Sequence, residues 1–506
     1  MAALKRSNVV ATFALVAALV LVFSIAQIVA HRPINGDEAY NMQIAKSLAT
    51  DFCYCTRYHP IRVFPVEESS NGVMQYVAAT FFATLKRPDL VKLGTVIAAM
   101  LLLCAAVFAL DAWLVLLTAA LFVLWPVFTY VAVSVYGEMW AAAFVVLGVV
   151  ALRRCDLAAP LALLVRSRAM LLAILCFGLA IESKLIAVIA VLPIVWAELY
   201  GRLDALPTRN RIARATAVTA AVGGGTFAVL FSLIAFSVLH STRSFSIGTA
   251  ATTFVGFIGD MILQGRGQAA PLLSGAVTFF QTFTSAGVLV LIAAAFALLI
   301  YVNRGYVLFA AVTLAWCLHY GGNERHDFIS LFVALMLAGE AAHRLLVRES
   351  RARTIAFARL ASLTSAVLVL VVVGIALLAR DTVDAPAAVQ RFAHVHRLIQ
   401  VADGRYHYTP ALVAALRRYR YVATSGWWQF PELSLRENLE FYDRTNPANA
   451  DLPRDQVVLF IDRENHLAPS TTVQANCGPI VYTEGPLVIC KPNPRVPLAY
   501  QPPAGS

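Results

Sequence analysis

The sequence predicts an all-α bundle of membrane-spanning helices followed by a small extracytoplasmic α/β domain. Hydrophobic residues make up 59% of the 506 residues, charged residues only 14%, and the mean hydropathy is +0.72. A soluble domain carries about a quarter charged residues, so most of this chain belongs in a membrane. About eleven apolar runs approach the ~20 residues that cross a bilayer, and a more polar tail follows them.

The first apolar run, residues 8–30, is longer than the ~7–15-residue core of a cleaved signal peptide and lacks a small-x-small cleavage site. We therefore predict a retained signal-anchor helix. The predicted spans are 8–30, 89–110, 113–134, 139–152, 169–182, 185–200, 214–239, 285–302, 305–320, 327–346 and 360–379. The runs 139–152 and 169–182 are short for a complete crossing.

The distribution of arginine decides how the run 72–85, "GVMQYVAATFFATL", is placed. If this segment lies along the membrane interface and the N-terminus is inside, the arginine-rich loops all face the cytoplasm, as the positive-inside rule requires. If the segment spans the membrane instead, every later loop changes sides and the bias is reversed. We therefore predict an interfacial helix. The short outer loops then keep four basic residues, Lys184, Arg243, Arg266 and Arg325.

The net charge of +11 does not indicate nucleic acid binding, because the basic residues lie in short clusters between apolar runs. This distribution fits membrane topology and contact with anionic lipid. Abundant Ala, Val, Leu and Arg suggest a GC-rich bacterial genome, so we expect a multi-pass protein of the bacterial cytoplasmic membrane.

The tail is predicted to form a separate domain, residues 381–506, after a transmembrane domain of residues 1–380 that includes a first outer loop, 31–88. "YRYVATSGWWQF" and "QVVLFIDREN" have strand composition, and "LSLRENLEFYDR" has helix composition. "PIVYTEGPLVICK" predicts a hairpin turning at Glu484-Gly485. Cys477 and Cys490 flank this hairpin, and an outer compartment allows oxidation, so we predict a disulfide between them.

Two acids, Asp37 and Glu38, follow the first predicted span in "INGDEAYNMQIAKSL". One interpretation is structural, since Asn35 and Glu38 have the spacing of a capping box at the start of an amphipathic helix. The other is chemical. An outward-facing carboxylate pair can supply a general base for an acceptor hydroxyl, or oxygen ligands for a divalent cation.

Four further residues lie at the outer ends of predicted spans. Glu138 in "YGEMW" either stabilises a helix N-terminus or takes part in a site. Lys184 in "AIESKLIAV" is either a snorkelling lysine paired with Glu182 or a ligand for an anion. Arg325 in "GGNERHDF" is either a loop charge or a phosphate clamp, and His326 beside it is either a metal ligand or a neutral loop histidine.

With these residues placed, the sequence resembles the GT-C superfamily of integral-membrane glycosyltransferases. The similar branch holds protein-mannosyltransferase-like, aminoarabinose-transferase-like and lipopolysaccharide galacturonosyltransferase-like enzymes. "GDEAYNMQIAKSL" resembles their D-E-A-x-Y motif in the first outer loop. Weaker similarities follow in "YGEMW", "ESKLIAVIAVLP" and "ERHDFISLFVALMLAG", so the resemblance covers about residues 8–346.

The sequence departs from the family pattern at two places. The family's histidine-proline-proline stretch is represented at best by His59-Pro60 in "YHPIRVFP". The aromatic residue that usually follows the late arginine is replaced by His326. These departures bear on acceptor binding and on lipid-phosphate binding.

The resemblance implies transfer of a sugar from a polyprenyl-phosphate carrier to a hydroxyl-bearing acceptor on the outer face of the membrane. The acceptor would be a glycolipid, lipopolysaccharide, cell-wall glycan or protein. Asp37 would be the catalytic base, supported by Glu38 and Glu138, and Lys184, Arg325 and His326 would bind substrate. The absence of a P-loop or GxGxxG motif in the sequence fits a lipid-linked donor. A divalent cation is compatible with this chemistry without being required by it.

Two other classes of protein remain as alternatives. A transporter or flippase of lipid-linked saccharides would also carry ionisable residues in its helices, but its sites typically lie near the midplane between inverted repeats. The ionisable residues here gather at one face, and no internal repeat is evident. A sensor with an outer binding domain would not need so many spans.

Overall fold

The structure is a computed structural model, and it describes residues 2–31, 34, 36–52, 54, 58–59, 72–242, 246–256, 286–319, 324–350, 408–424, 430–444, 450–463 and 476–498. Within these ranges most residues are helical. The described helices before the C-terminal part are α1 (Ala2–His31), α2 (Gly36–Asp51), α3 (Gly72–Leu85), α4 (Pro88–Leu110), α5 (Leu114–Leu124), α6 (Pro126–Ala132), α7 (Glu138–Arg153), α8 (Leu161–Arg166), α9 (Arg168–Ser183), α10 (Val188–Arg202), α11 (Thr208–Thr242), α12 (Ile247–Gly256), α13 (Ala286–Val302), α14 (Tyr306–His319) and α15 (Glu324–Ser350).

Five helices in the described ranges are long and apolar enough to cross a membrane: Val10–Ala30, Pro88–Leu110, Leu185–Arg202, Thr208–Leu239 and Asp327–Leu346. A polytopic helical fold is therefore confirmed, whereas the expected count of eleven spans is not. The predicted span 360–379 lies outside the described residues. Helix α3 covers the predicted interfacial segment with the same bounds, Gly72–Leu85.

The prediction of one continuous helix over 113–134 is wrong. The chain forms two helices, α5 and α6, which are separated at Trp125. Pro126 is the reason, because its ring removes a backbone donor and restricts the preceding residue to extended conformations. Trp125 accordingly has φ −117° and ψ 101°.

Aromatic packing joins the second of these helices to the start of α15. The Phe328 ring centroid lies 5.4 Å from that of Trp125 and 5.4 Å from that of Phe128. Phe128 also packs on Phe332 at 5.2 Å. This cluster is buried and packs the first turns of α15 against α6.

Charged side chains form two layers, one near each end of three neighbouring helical segments. Each segment carries a charged residue at one end and a second about 14 or 15 positions later, roughly 21 Å along a helix axis. In the second layer, the Arg153 guanidinium donates to Glu198 at 2.8 Å and also to Glu340. The pairs are Glu138 and Arg153 on α7, Lys184 and Glu198 at α10, and Arg325 and Glu340 on α15.

The C-terminal part forms a six-stranded mixed sheet with two short helices. Its elements are α16 (Pro410–Leu416), β2 (Tyr421–Thr424), α17 (Pro431–Glu437), β3 (Phe441–Asp443), β4 (Val457–Asp462), β5 (Cys477–Glu484) and β6 (Leu487–Pro492). The strand order is β1-β3-β2-β4-β6-β5, and β1 (Tyr58–His59) comes from the first outer loop. His59, which the sequence analysis related to the family's histidine-proline-proline stretch, therefore lies in an edge strand that pairs in parallel with β3. Pro60 lies outside the described residues.

The predicted helix over "LSLRENLEFYDR" is only half right. Helix α17 ends at Glu437, Asn438 adopts a left-handed conformation with φ 54°, and the chain continues as strand β3. Asparagine tolerates this conformation at a helix C-terminus better than most residues. Burial of Phe441 against Phe430 and Phe460 then favours the strand over continued helix.

The predicted hairpin and disulfide are confirmed. Strands β5 and β6 pair antiparallel around Gly485, which has φ +56°. Cys477 and Cys490 form a disulfide with their Cα atoms 5.6 Å apart.

Helix α17 of the C-terminal part packs on α2 of the bundle, a contact that the sequence did not predict. The Lys46 ammonium donates to the Leu435 carbonyl at 2.8 Å and to Asn438 at 2.7 Å. Arg436 forms two hydrogen bonds with Asp89 at the start of α4. The C-terminal sheet therefore lies at the end of the bundle where α2 and α4 begin to contact α17.

Candidate active site

The first turn of α2 presents its two acids to different surroundings. Asp37 is 49% exposed, whereas Glu38 is fully buried. The Glu38 carboxylate accepts a hydrogen bond from the Lys92 ammonium at 3.0 Å and another from the Val135 N–H at 2.9 Å. This geometry favours a positioning role for Glu38, because a carboxylate shared between a lysine and a backbone donor is already occupied.

Two side chains of α2 form hydrogen bonds with the backbone N–H and carbonyl of Val135, which lies in the loop between α6 and α7. Glu38 accepts from its N–H, and the Asn41 amide donates to its carbonyl at 3.2 Å. The two side chains lie three residues apart, on one face of the helix. Gln75 of α3 donates to Asn41 at 3.0 Å and accepts from the Tyr54 hydroxyl. These contacts fix the start of α7, where Glu138 is the first residue, beside the start of α2.

One guanidinium joins Asp37 and Glu138. Arg325 Nη1 donates to Asp37 Oδ2 at 2.7 Å, and Arg325 Nε lies 3.1 Å from Glu138 Oε1. The carboxylates of Asp37 and Glu138 therefore lie on either side of a single arginine side chain. The Arg325 guanidinium also lies 4.5 Å from the centre of the Tyr136 ring, where a cation–π contact holds its orientation.

Lys184 completes the cluster. Helix α9 ends at Ser183, and Lys184 is extended with φ −159° and ψ 113° before the chain enters a 3₁₀ turn at Leu185–Ala187. This break places the Lys184 ammonium 3.5 Å from Glu138 Oε1, with the lysine side chain 14% exposed. Two cations therefore share one buried carboxylate, and Asp37 lies on the more exposed side of the same cluster.

Tyr136 and Lys92 are site residues that the sequence analysis missed. Burial raises the pKa of the Tyr136 phenol well above its ordinary value, so the ring contacts Arg325 as a neutral group. Lys92 could have been identified from the sequence, because it is the one lysine or arginine in the apolar run 89–110. Charged residues within such a run usually have a partner or a function. For Tyr136, the sequence offers only its position two residues before Glu138 as an indication of a role in the site.

Two predictions cannot be placed in the described geometry. His326 belongs to α15, but its side chain lies outside the described part of the structure, as does Asn35. Within the described residues, no group of three His, Cys, Asp or Glu side chains is arranged to hold a metal ion. A divalent cation therefore stays a prediction that is compatible with this site and not required by it.

Comparison with known proteins gives structural similarity without sequence similarity. No known protein family is matched by the sequence, and no curated protein is significantly similar to it. Among solved structures, ArnT from Cupriavidus metallidurans bound to undecaprenyl phosphate is similar with a TM-score of 0.55 at 14% identity, covering 98% of this chain and 100% of ArnT. The apo state of the same ArnT has a TM-score of 0.51 at 14% identity, covering 96% of this chain and 98% of ArnT.

A third solved structure, the archaeal oligosaccharyltransferase AglB from Archaeoglobus fulgidus with an inhibitory peptide and a dolichol-phosphate, gives 0.48 at 12% identity and covers 96% of this chain and 74% of AglB. The similarity to ArnT extends over nearly the whole chain, including the C-terminal sheet. The chain therefore has a fold similar to that of ArnT over nearly its whole length.

Proposed function

We propose that this protein transfers a sugar from a polyprenyl-phosphate carrier to a hydroxyl group of an acceptor at the outer face of the bacterial cytoplasmic membrane. The observation that carries the proposal is the cluster of Asp37, Glu138, Lys184 and Arg325. Four segments far apart in the chain bring two carboxylates and two cations together at one end of an apolar bundle. The GT-C fold and the undecaprenyl phosphate bound to ArnT support the same donor class.

The charges of the cluster suit this reaction. Arg325 and Lys184 would bind the donor phosphate, and the guanidinium would do so with two parallel hydrogen bonds. As the bond from the anomeric carbon to the phosphate oxygen breaks, negative charge accumulates on the leaving polyprenyl phosphate. Cations already in position stabilise that charge in the transition state. Glu138, buried between them, would keep both cations oriented.

Asp37 would act as the base. The acceptor oxygen attacks the anomeric carbon, and its proton passes to the Asp37 carboxylate. In the structure Asp37 Oδ2 accepts a hydrogen bond from Arg325. A donor phosphate that takes over this guanidinium would release the carboxylate oxygen for the acceptor. The base would then become available only when the donor is bound, which would limit wasteful hydrolysis.

The test compares Asp37→Asn with wild type in transfer assays with purified protein and polyprenyl-phosphate sugars. Asparagine keeps the shape and can still accept the Arg325 hydrogen bond, so the variant should fold normally. Loss of the base should lower the transfer rate by about two to four orders of magnitude. Asp51→Asn at the exposed end of the same helix is the matched control and should transfer sugar normally.

Near-normal transfer by Asp37→Asn would end the proposal that Asp37 is the base and would leave it a helix-terminus acid. In the same assay Arg325→Lys should weaken donor binding more than turnover, because lysine keeps the charge but loses the two-pronged hydrogen bonding. Mass spectrometry of lipids and envelope glycans from a deletion strain and its parent would identify the sugar and the acceptor.

A further inference from the structure

Glu182 is a buried carboxylate that the proposed mechanism does not use. The residue is 1% exposed, and neither of its carboxylate oxygens forms a hydrogen bond with the part of the chain that the structure describes. Buried carboxylates in proteins are normally paired with a cation or hydrogen-bonded, because an unsatisfied one destabilises the fold. Among the described residues Glu182 therefore has no hydrogen-bond partner for its side chain, and a bound molecule would supply one.

The surroundings of Glu182 are polar and aromatic. Its carboxylate lies against Gly72, the first residue of α3, where a Cβ atom would come within 2.3 Å of Oε1. One turn along α3, the Tyr76 hydroxyl lies 3.3 Å from Ser237 Oγ, and the Tyr76 ring is 6.0 Å from that of Tyr54. Burial raises the pKa of Tyr76 to about 12, and the charge of Glu182 adds to this rise. A carboxylate, two hydroxyls and aromatic rings are groups that contact sugars.

Glu182 lies close in the chain to a residue of the proposed phosphate site. It precedes Lys184 by two residues, so their Cα atoms are separated by at most about 7 Å. Lys184 belongs to the cluster that would bind the donor phosphate, and the transferred sugar is bonded to that phosphate. We propose that Glu182 forms the subsite for this sugar, with its carboxylate accepting hydrogen bonds from hydroxyl or amino groups of the ring. The assignment rests on the proposed function.

This subsite restricts the substrate class. A sugar with a carboxylate of its own would bring a negative charge into a buried site where Glu182 offers it no cation, and an unpaired charge in such a site is strongly disfavoured. The protein should therefore use neutral or amino sugars and reject uronic acids. This selectivity concerns the sugar alone, since the carrier phosphate is bound by Arg325 and Lys184.

A purely structural role for Glu182 makes a different prediction. The carboxylate lies at the N-terminus of α3, where a negative charge can stabilise the helix. If that is its role, Glu182→Gln should lower the unfolding temperature and leave donor kinetics unchanged. If Glu182 is a subsite, the same change replaces a buried group that has no hydrogen-bond partner among the described residues, so the unfolding temperature should stay constant or rise.

The experiment measures donor KM and unfolding temperature for full-length protein in detergent. The probes are undecaprenyl phosphate linked to a neutral hexose, to an amino sugar and to a uronic acid. Glu182→Gln should raise the KM of the donor that wild type uses best by about tenfold, and Glu182→Met, which has no oxygen acceptor, should raise it further. The inhibition constant of bare undecaprenyl phosphate should not change, because that molecule has no sugar.

Glu198→Gln is the matched control. Glu198 is also buried but is bound by Arg153 and Tyr306, so this change should lower the unfolding temperature and leave donor KM unchanged. A wild-type KM in Glu182→Gln, or preferred use of the uronic acid donor, would overturn the subsite while the transferase function stands. Failure of wild type to transfer any of the three sugars would overturn both.

Discussion

At the residue scale, the motif "GDEAY" contains two acids with separate tasks. Asp37 is exposed beside Arg325, whereas Glu38 is buried and bound by Lys92 and Val135. The buried ion pair brings little net stability by itself, since removing two charges from water costs about what their attraction returns. Its value lies in geometry, because it fixes α2 against α4 and against the loop that carries Tyr136.

This assignment predicts strong coupling between Glu38 and Lys92. Glu38→Gln leaves the Lys92 ammonium buried without its counter-charge and should destabilise the protein by about 3–5 kcal/mol. Lys92→Met should be harmful for the reciprocal reason. The double variant should be more stable than either single variant, as measured by thermal unfolding in detergent and analysed as a double-mutant cycle. Additive losses would show that the two residues do not act as a pair.

At the element scale, interruptions in the helices create the site. The break between α9 and α10 turns Lys184 toward Glu138, and the break at Trp125-Pro126 allows α6 to pack under the start of α15. A continuous helix would keep the lysine on the regular helical surface. The interruptions cost backbone hydrogen bonds, and the buried aromatic cluster around Phe328 offsets that cost.

The hairpin β5–β6 is stabilised by the disulfide between Cys477 and Cys490. The two cysteines are 13 residues apart, and a crosslink closing a loop of about this size stabilises a fold by about 3 kcal/mol in the chain-entropy account. Replacing both cysteines by serine should lower the unfolding temperature of the C-terminal sheet without abolishing sugar transfer. The measurement is differential scanning fluorimetry of both proteins, and an unchanged unfolding temperature would contradict the prediction.

At the scale of the whole molecule, the two charged layers mark the two ends of the bundle. The first layer contains Glu138, Lys184 and Arg325, and the second contains Arg153, Glu198 and Glu340. The second layer is next to arginine-rich loops, since Arg202 donates to the carbonyls of Leu152 and Cys155 at the end of α7. The positive-inside rule therefore predicts that this end faces the cytoplasm and that the candidate site faces outward.

This orientation is testable with reporter fusions. Fusions after Arg154 and after Arg211 should show cytoplasmic activity, and a fusion after Gln400 should show extracytoplasmic activity. The physical reason is the excess of arginine in the loops on one side of the membrane. An extracytoplasmic signal at Arg211 would reverse the assignment of every later loop.

The sequence by itself determined the class of the protein and the chemistry available to it. Apolar runs of spanning length require helices, because a backbone in lipid must satisfy its own hydrogen bonds. The distribution of arginine predicts which loops face the cytoplasm. The same reasoning identified Asp37, Glu138, Lys184 and Arg325 as charged groups at the ends of helices. Local turn chemistry around Gly485 was sufficient to predict the hairpin and its disulfide.

Only the tertiary structure decided which of these charges meet. The contact of Arg325 with Asp37 joins residues 288 positions apart, and the burial of Glu38 depends on Lys92 from another helix. Likewise, the docking of α17 on α2 and the pairing of β1 with β3 join segments whose local sequences carry no sign of each other. Periodicity and composition indicate which face of an element is apolar, whereas the choice of partner follows from packing among many elements at once, as the contact of the Glu182 carboxylate with Gly72 of α3 also shows.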